Sequence, residues 1–173
     1  MASKRQWDYK KFQNLIKEIF RANEMMKVRG TFSKSDLHKF CYYCDFDYYL
    51  ANESSISYSE YIHLEEGPVP IHFDEAIDEL LTDSVIKWTD DDRLTADNLG
   101  EPLNKGYMDN PKDKHSLSED EKESVMTTLV RLRKVDLDNY YLKDVPWKLT
   151  NRGQAIDYQF VFYRNDEGNN DEE

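Results

Sequence analysis

Cys41 and Cys44 are the two cysteines of the chain. They form a C-x-x-C pair, with His38 three residues ahead. Residues three and four apart share one helix face, so the trio could hold a zinc ion or, through the cysteines, do dithiol redox chemistry. Zinc then needs a fourth ligand or an open catalytic position, and no second Cys/His pair stands at matching spacing. The neighbours Leu37, Phe40, Tyr42 and Tyr43 are apolar or aromatic. A reactive thiolate requires an exposed, electropositive setting, so these thiols read as small core residues. The other histidines, His63, His72 and His115, show no zinc spacing either. The sequence has no glycine-rich phosphate loop and no G-x-S-x-G turn. Acid pairs such as Glu65-Glu66 and the run Asp90-Asp91-Asp92 belong to a chain with 35 Asp and Glu, and read as solvated. No catalytic set emerges, and neither a metal nor a cofactor is expected. The expected activity is binding, not catalysis.

Charge narrows the partners. The net charge is -12, which repels nucleic acid and anionic membranes. The acid is unevenly spread. Residues 1–34 hold nine Lys/Arg against three acids, a local +6, which leaves -18 for the rest. That stretch reads as a solvated basic helix face or as a docking strip for an acidic partner. The first residues lack the apolar core of a signal peptide, and no run of about 18 apolar residues exists. The expectation is a cytoplasmic protein with no membrane partner.

The elements that carry these residues follow from periodicity. Tyr9, Phe12, Ile16, Ile19 and Phe20 predict an amphipathic helix of about three turns. Ser33 with Asp36 is a capping-box variant opening a helix over 33–51, whose stripe is Leu37, Phe40, Cys41, Cys44 and Tyr48. Ile56 to Leu64 reads as extended or as a short helical turn. Gly67-Pro68-Val69-Pro70 reads as a rigid loop, because each proline removes a donor. Phe73, Ala76, Ile77, Leu80 and Leu81 mark a third helix. Val85 to Trp88 is a candidate strand turning back through Asp90-Asp91-Asp92. Residues 97–117 read as a long mobile loop. Ser118 to Glu121 opens a fourth helix with Val125, Leu129 and Leu132 inside. A short helix over 136–143 ends at Pro146-Trp147. Asp157 to Tyr163 alternates and predicts a C-terminal strand. The fold class is thus mainly α (α+β), a compact helical domain with a minor antiparallel β element and that strand. Residues 1–32 form a basic N-terminal helix, 33–164 the main domain, and 165–173 a disordered acidic tail.

Aromatics make up 13% of the chain, with 12 Tyr and 8 Phe. Tyr42, Tyr43, Tyr48 and Tyr49 occupy two faces of one helix, and Tyr58 and Tyr61 follow. One helix cannot bury them all, so some of these tyrosines are expected on the surface, where tyrosine favours protein interfaces.

Three ordered blocks resemble the Panacea-domain (SocA-like) antitoxin family. Asp36-Leu37-His38-Lys39-Phe40-Cys41-Tyr42-Tyr43-Cys44-Asp45 is similar to its L-x-K-h-h-Y-h-h-D helix, where h is apolar. Tyr61 to Pro70 is similar to its Y-x-x-x-x-x-G-P-V element. Leu117 to Glu121, Val145-Pro146-Trp147 and Ile156 to Tyr158 resemble its late helix start, its P-W element and its closing I-x-Y. The resemblance spans roughly 33–164 and leaves residues 1–30 outside. It departs where the family often carries a histidine before P-W; here the residues are Tyr141-Leu142-Lys143-Asp144. The resemblance implies a mostly helical fold and an antitoxin of a bacterial or phage toxin–antitoxin system. Such a protein neutralises a cognate protein toxin by direct binding. The alternatives it implies are a proteolytic adaptor that delivers a toxin to a cellular protease, and a phage or genomic-island interaction protein. It brings no catalytic residues. The positions it points to for partner binding are Lys39, Tyr42, Asp45, Tyr61, Gly67, Pro68, Val69, Pro146 and Trp147.

Overall fold

A computed structural model of the chain describes residues 7–99 and 114–166. Most of the loop expected over 97–117, and of the tail from 165, lies outside them. The fold is mainly α with two small antiparallel sheets. Helices α1 (Tyr9–Met26), α2 (Lys34–Asn52), α3 (Phe73–Thr82) and α4 (Glu119–Arg131) enclose one core, and the short helices α5 (Leu137–Tyr140) and α6 (Val145–Lys148) close it. Strands β1 (Tyr61–Leu64) and β2 (Gly67–Pro70) form one sheet; β3 (Ile86–Trp88) and β4 (Leu94–Ala96) form the other.

Local chemistry explains the helix starts. Asp8 caps α1 by accepting from the Lys11 amide. Ser33 and Asp36 make the reciprocal capping box at the start of α2. Ser118 accepts from the Glu121 amide at α4. Helix α1 runs to Met26, 18 residues rather than about three turns, and stops where Lys27 turns left-handed. Its final carbonyl is covered from afar, with Arg133 donating to Met26 O at 2.6 Å. In return Arg29 donates to the carbonyls of Leu132 and Val135 at the end of α4. Lys11 pairs with Glu121, Arg21 with Glu18 and Lys34 with Asp74. Three of the basic residues of the N-terminal segment thus meet charges of their own chain. No helix among the described residues is long and apolar enough to cross a membrane.

Helix α2 is the centre of the molecule. Leu37 and every residue from Lys39 to Phe46 are buried, including both cysteines. Three tyrosines expected among the surface candidates, Tyr42, Tyr43 and Tyr61, are buried. Tyr48, Tyr49 and Tyr58 are half-buried. The reason is that α2 is covered on several sides, by α1, α4, β2 and the C-terminal segment, so two faces can be apolar.

Asp45 lies inside this core with no exposure and ties α2 to the segment ahead of β1. It accepts from the Ser57 amide (2.8 Å), the Ser57 hydroxyl (2.6 Å) and the Tyr61 hydroxyl (2.6 Å). These donors satisfy a group that burial alone would make costly.

Three expectations are corrected. Gly67 to Pro70 is a strand, not a loop. His63 turns its backbone groups toward residues 153 and 154, so by alternation Ile62 and Leu64 face β2, opposite Val69 and Gly67. Pro68 and Pro70 fall at positions that donate nothing to β1, so the ladder tolerates them. Pro146-Trp147 does not end a helix but opens α6, with proline in the first turn. The C-terminal strand is absent: Tyr158–Asp166 is a 3₁₀ helix. The outer edge of β1 is already filled by residues 153–156, including Ile156 N to Tyr61 O at 2.8 Å. With no edge to join, the segment buries Val161 and half-buries Tyr158 and Arg164, at the three-residue period of a 3₁₀ helix.

Burial raises the Asp45 carboxyl from its ordinary 3.8 to about 6, although the Ser57 and Tyr61 hydrogen bonds oppose the rise. Between these values the native state holds a proton that the unfolded state has lost, so this group's contribution to stability falls as pH rises from about 4 to 6. The Asp45→Asn variant lacks that dependence. Urea denaturation should show the stability advantage of wild type over the variant shrinking by on the order of 3 kcal/mol from pH 4 to pH 7. A gap that is constant with pH would contradict the raised pKa.

Candidate functional site

The nine residues singled out by the three blocks converge around α2. Tyr42, Lys39 and Asp45 come from α2, Tyr61 from β1, Gly67, Pro68 and Val69 from β2, and Pro146 and Trp147 from α6. Eight of them are buried, and Val69 is half-buried. Of the nine, Val69 alone has appreciable exposure to solvent.

Each has an internal task. Lys39 is 2% exposed, donates to Ser35 Oγ at 2.7 Å and stands 3.7 Å from Asp138. Its ammonium sits 5.1 Å from the centre of the Tyr141 ring, a cation–π contact. The Lys39 stem passes beneath Gly67, where a Cβ would come within 3.1 Å of Cε. Gly67 also has φ +124°, a region that side-chain-bearing residues rarely enter. Trp147 stacks on His63, ring centres 3.3 Å apart, and meets Tyr141 edge-on.

Tyr42 opens a polar network that the sequence did not announce. Its hydroxyl donates to Asp144, just before α6. Asp144 also accepts from Arg164 Nε (2.8 Å) and Nη2 (3.1 Å). Arg164 reaches on to Asp47 (2.8 Å), which accepts from Arg131 (2.6 Å) and Thr128 (2.9 Å). Burial opposes the charged form, but the surrounding negative charge, Asp144 foremost, outweighs it and holds the Arg164 pKa above its ordinary value. The chain links α2, α4, the start of α6 and the C-terminal 3₁₀ helix. Asp47 and Arg164 lie 117 residues apart, so no local spacing could reveal the pair.

The thiols are core groups: burial raises both cysteine pKa values well above the ordinary range. Burial likewise lowers His38 to about 4, and its ring packs edge-on against Phe73. Among the described residues no group of three His, Cys, Asp or Glu side chains is arranged to hold a metal ion. A cleft of about 380 Å³ lies between the end of α1 and β4, lined in part by Phe20, Val28, Phe32 and Leu94. None of the nine residues lines it.

The elements around the nine residues carry five exposed apolar or aromatic side chains among exposed polar ones. Tyr140, Leu142, Leu149, Phe162 and Tyr163 are exposed, and Leu149 and Tyr163 exceed half exposure at 53% and 54%. They sit on α5, the 3₁₀ turn Tyr141–Lys143, the end of α6 and the terminal 3₁₀ helix, elements packed in succession against one another. Sequence reasoning missed this face because Phe162 and Tyr163 were assigned to a strand. Their exposure depends on the 3₁₀ period.

The geometry at Gly67 makes a direct prediction. Gly67→Ala should lower stability by about 1–3 kcal/mol, from backbone strain and the displaced Lys39 stem. Chemical denaturation checks it, and an unchanged midpoint would show that the turn is not strained.

Residues 37–148 match a family model described as antitoxin SocA-like, Panacea domain. No curated protein and no solved structure matches the chain. The family model covers more than half of the sequence, from Leu37 in α2 to Lys148 at the end of α6, and takes in all nine residues. The buried stretch of α2, the G-P-V strand beside it and the P-W turn that closes it all fall inside that match, and the chain belongs to the SocA-like, Panacea-domain antitoxin family.

Proposed function

We propose that this chain is the antitoxin of a bacterial or phage toxin–antitoxin system and neutralises its toxin in the cytoplasm by direct contact, without catalysis. Family membership supports the antitoxin role. The single observation that favours contact is the exposure of Tyr140, Leu142, Leu149, Phe162 and Tyr163 on short elements that pack in succession against one another. Large exposed apolar side chains gathered on one face mark protein interaction sites. Trp147 and Pro146 lock α6 from below, so Leu149 is presented from a rigid base. Preorganisation of this kind lowers the entropy lost on binding. The mechanism is steric: the bound antitoxin covers the working surface of the toxin.

Co-expression tests the reading. The tagged chain is purified from its host, and the protein that co-purifies is expressed alone and together with the chain. Growth should fail with the partner alone and return with both; persistent lethality would refute neutralisation. Leu149→Asp and Phe162→Asp should abolish protection while stability stays within about 0.5 kcal/mol, as expected for exposed sites. Toxin half-life should be the same with and without the chain. A half-life shortened only in protease-competent cells would replace contact neutralisation with delivery to a protease.

A further inference from the structure

Beside the apolar face lies a cavity of about 150 Å³, lined by Tyr43, Arg131, Tyr140, Lys143, Asp144 and Arg164. That volume admits a carboxylate group with several waters. In a chain of net charge -12 this wall carries three cations. Two carboxylates oppose them: Asp144 in the wall, and Asp47, which accepts from both arginines. Among the described side chains, one positive charge is left over.

The donors are unevenly used. Asp144 has both oxygens taken, Oδ1 by Arg164 Nε and Oδ2 by Arg164 Nη2 and Tyr42. Arg164 commits three of its five N–H groups and Arg131 two, one of them to Tyr140 Oη at 3.0 Å. Lys143 is exposed and has no ion-pair partner among the described residues. Tyr43 is 1% exposed, and its hydroxyl has no hydrogen-bond partner among the described residues. Its ring is flanked by two guanidinium groups, Arg131 at 5.5 Å and Arg164 at 6.0 Å from the ring centre. A buried hydroxyl left without an acceptor costs free energy, and natural proteins leave few of them. An oxyanion in the cavity supplies the missing acceptor to Tyr43 and a partner to Lys143.

We propose that this cavity is a receptor for a single carboxylate side chain, Asp or Glu, presented by a partner protein between apolar neighbours. The proposal rests on the protein-binding reading above and names the chemistry of the partner at that face. A polyanion such as nucleic acid is repelled by the surrounding negative charge. A single carboxylate is not, and exposed Tyr140 and Leu142 on the same short-helix segment offer apolar flanks for its neighbours. The carboxylate fixes the register of the partner on the apolar face, because a misaligned partner would bury its charge unpaired.

The full chain is titrated with acetyl-Leu-Glu-Leu-amide, with the isosteric acetyl-Leu-Gln-Leu-amide and with inorganic phosphate at constant ionic strength. Backbone and arginine side-chain NMR shifts are the readout. The Glu peptide should give saturable shifts at Tyr43, Arg131, Lys143 and Arg164, and bind about tenfold tighter than the Gln peptide. Tyr43→Phe and Lys143→Gln should each weaken it about three- to tenfold. Neither change removes a contact the native chain uses, so thermal melts should be equal to or above wild type. Equal binding of the two peptides, or shifts that do not saturate, would overturn the proposal. Phosphate binding in place of the Glu peptide would overturn the carboxylate assignment in favour of a phosphorylated ligand. The titration contains no toxin, so failure here is distinct from failure to neutralise.

Discussion

Helix α2 is enclosed over its middle, where a polar side chain is costly to bury unless the rest of the chain supplies a partner. Lys39, Tyr42 and Asp45 are polar groups in that enclosed stretch. Each recruits a different part of the chain. Asp45 orders the segment that leads into β1 through Ser57 and Tyr61. Tyr42 engages Asp144 and, through it, Arg164 at the far end of the fold. Lys39 lies under the Gly67 turn against Tyr141. Loss of any one partner leaves a buried group unpaired, which costs more than the intact bond contributes. The rest of the domain is arranged to prevent that.

This constraint explains why the residues shared with the family pattern are interior ones. The G-P-V strand packs on α2, with glycine where a Cβ would strike the lysine stem. The P-W turn places Trp147 over His63 and caps the Lys39–Tyr141 region. The outer face of the short helices carries exposed apolar side chains, with a cationic cavity at its edge. Protein interfaces combine the same two elements, apolar anchors that contribute affinity and polar groups that set register.

Much of the architecture could be read locally. Ser33 and Asp36 bracket the first turn of α2, and Ser118 does the same for α4, because capping depends on residues three apart. The β3–β4 hairpin follows from an apolar run and an acidic turn. The buried state of Cys41 and Cys44 follows from their apolar neighbours. Other features depended on a distant competitor. The alternation of Tyr158, Phe160 and Phe162 is a strand pattern, yet residues 153–156 already occupy the edge of β1. Pro68 and Pro70 read as loop residues until the register shows their nitrogens at non-bonding positions. The tyrosines of α2 looked too many to bury because the number of elements covering the helix was not known.

The sequence by itself determined the starts of α2 and α4, the family pattern and the acidic balance, since all of these depend on residue type and on spacings of a few positions. Only the tertiary structure decided which residues are buried and which are exposed. It gathered Asp47, Arg131, Asp144 and Arg164 across as many as 117 positions, turned the motif residues inward, and brought Leu149 and Phe162 out together. Contacts between distant segments arise from packing and from satisfying buried charge, and neither leaves a periodic trace in the chain.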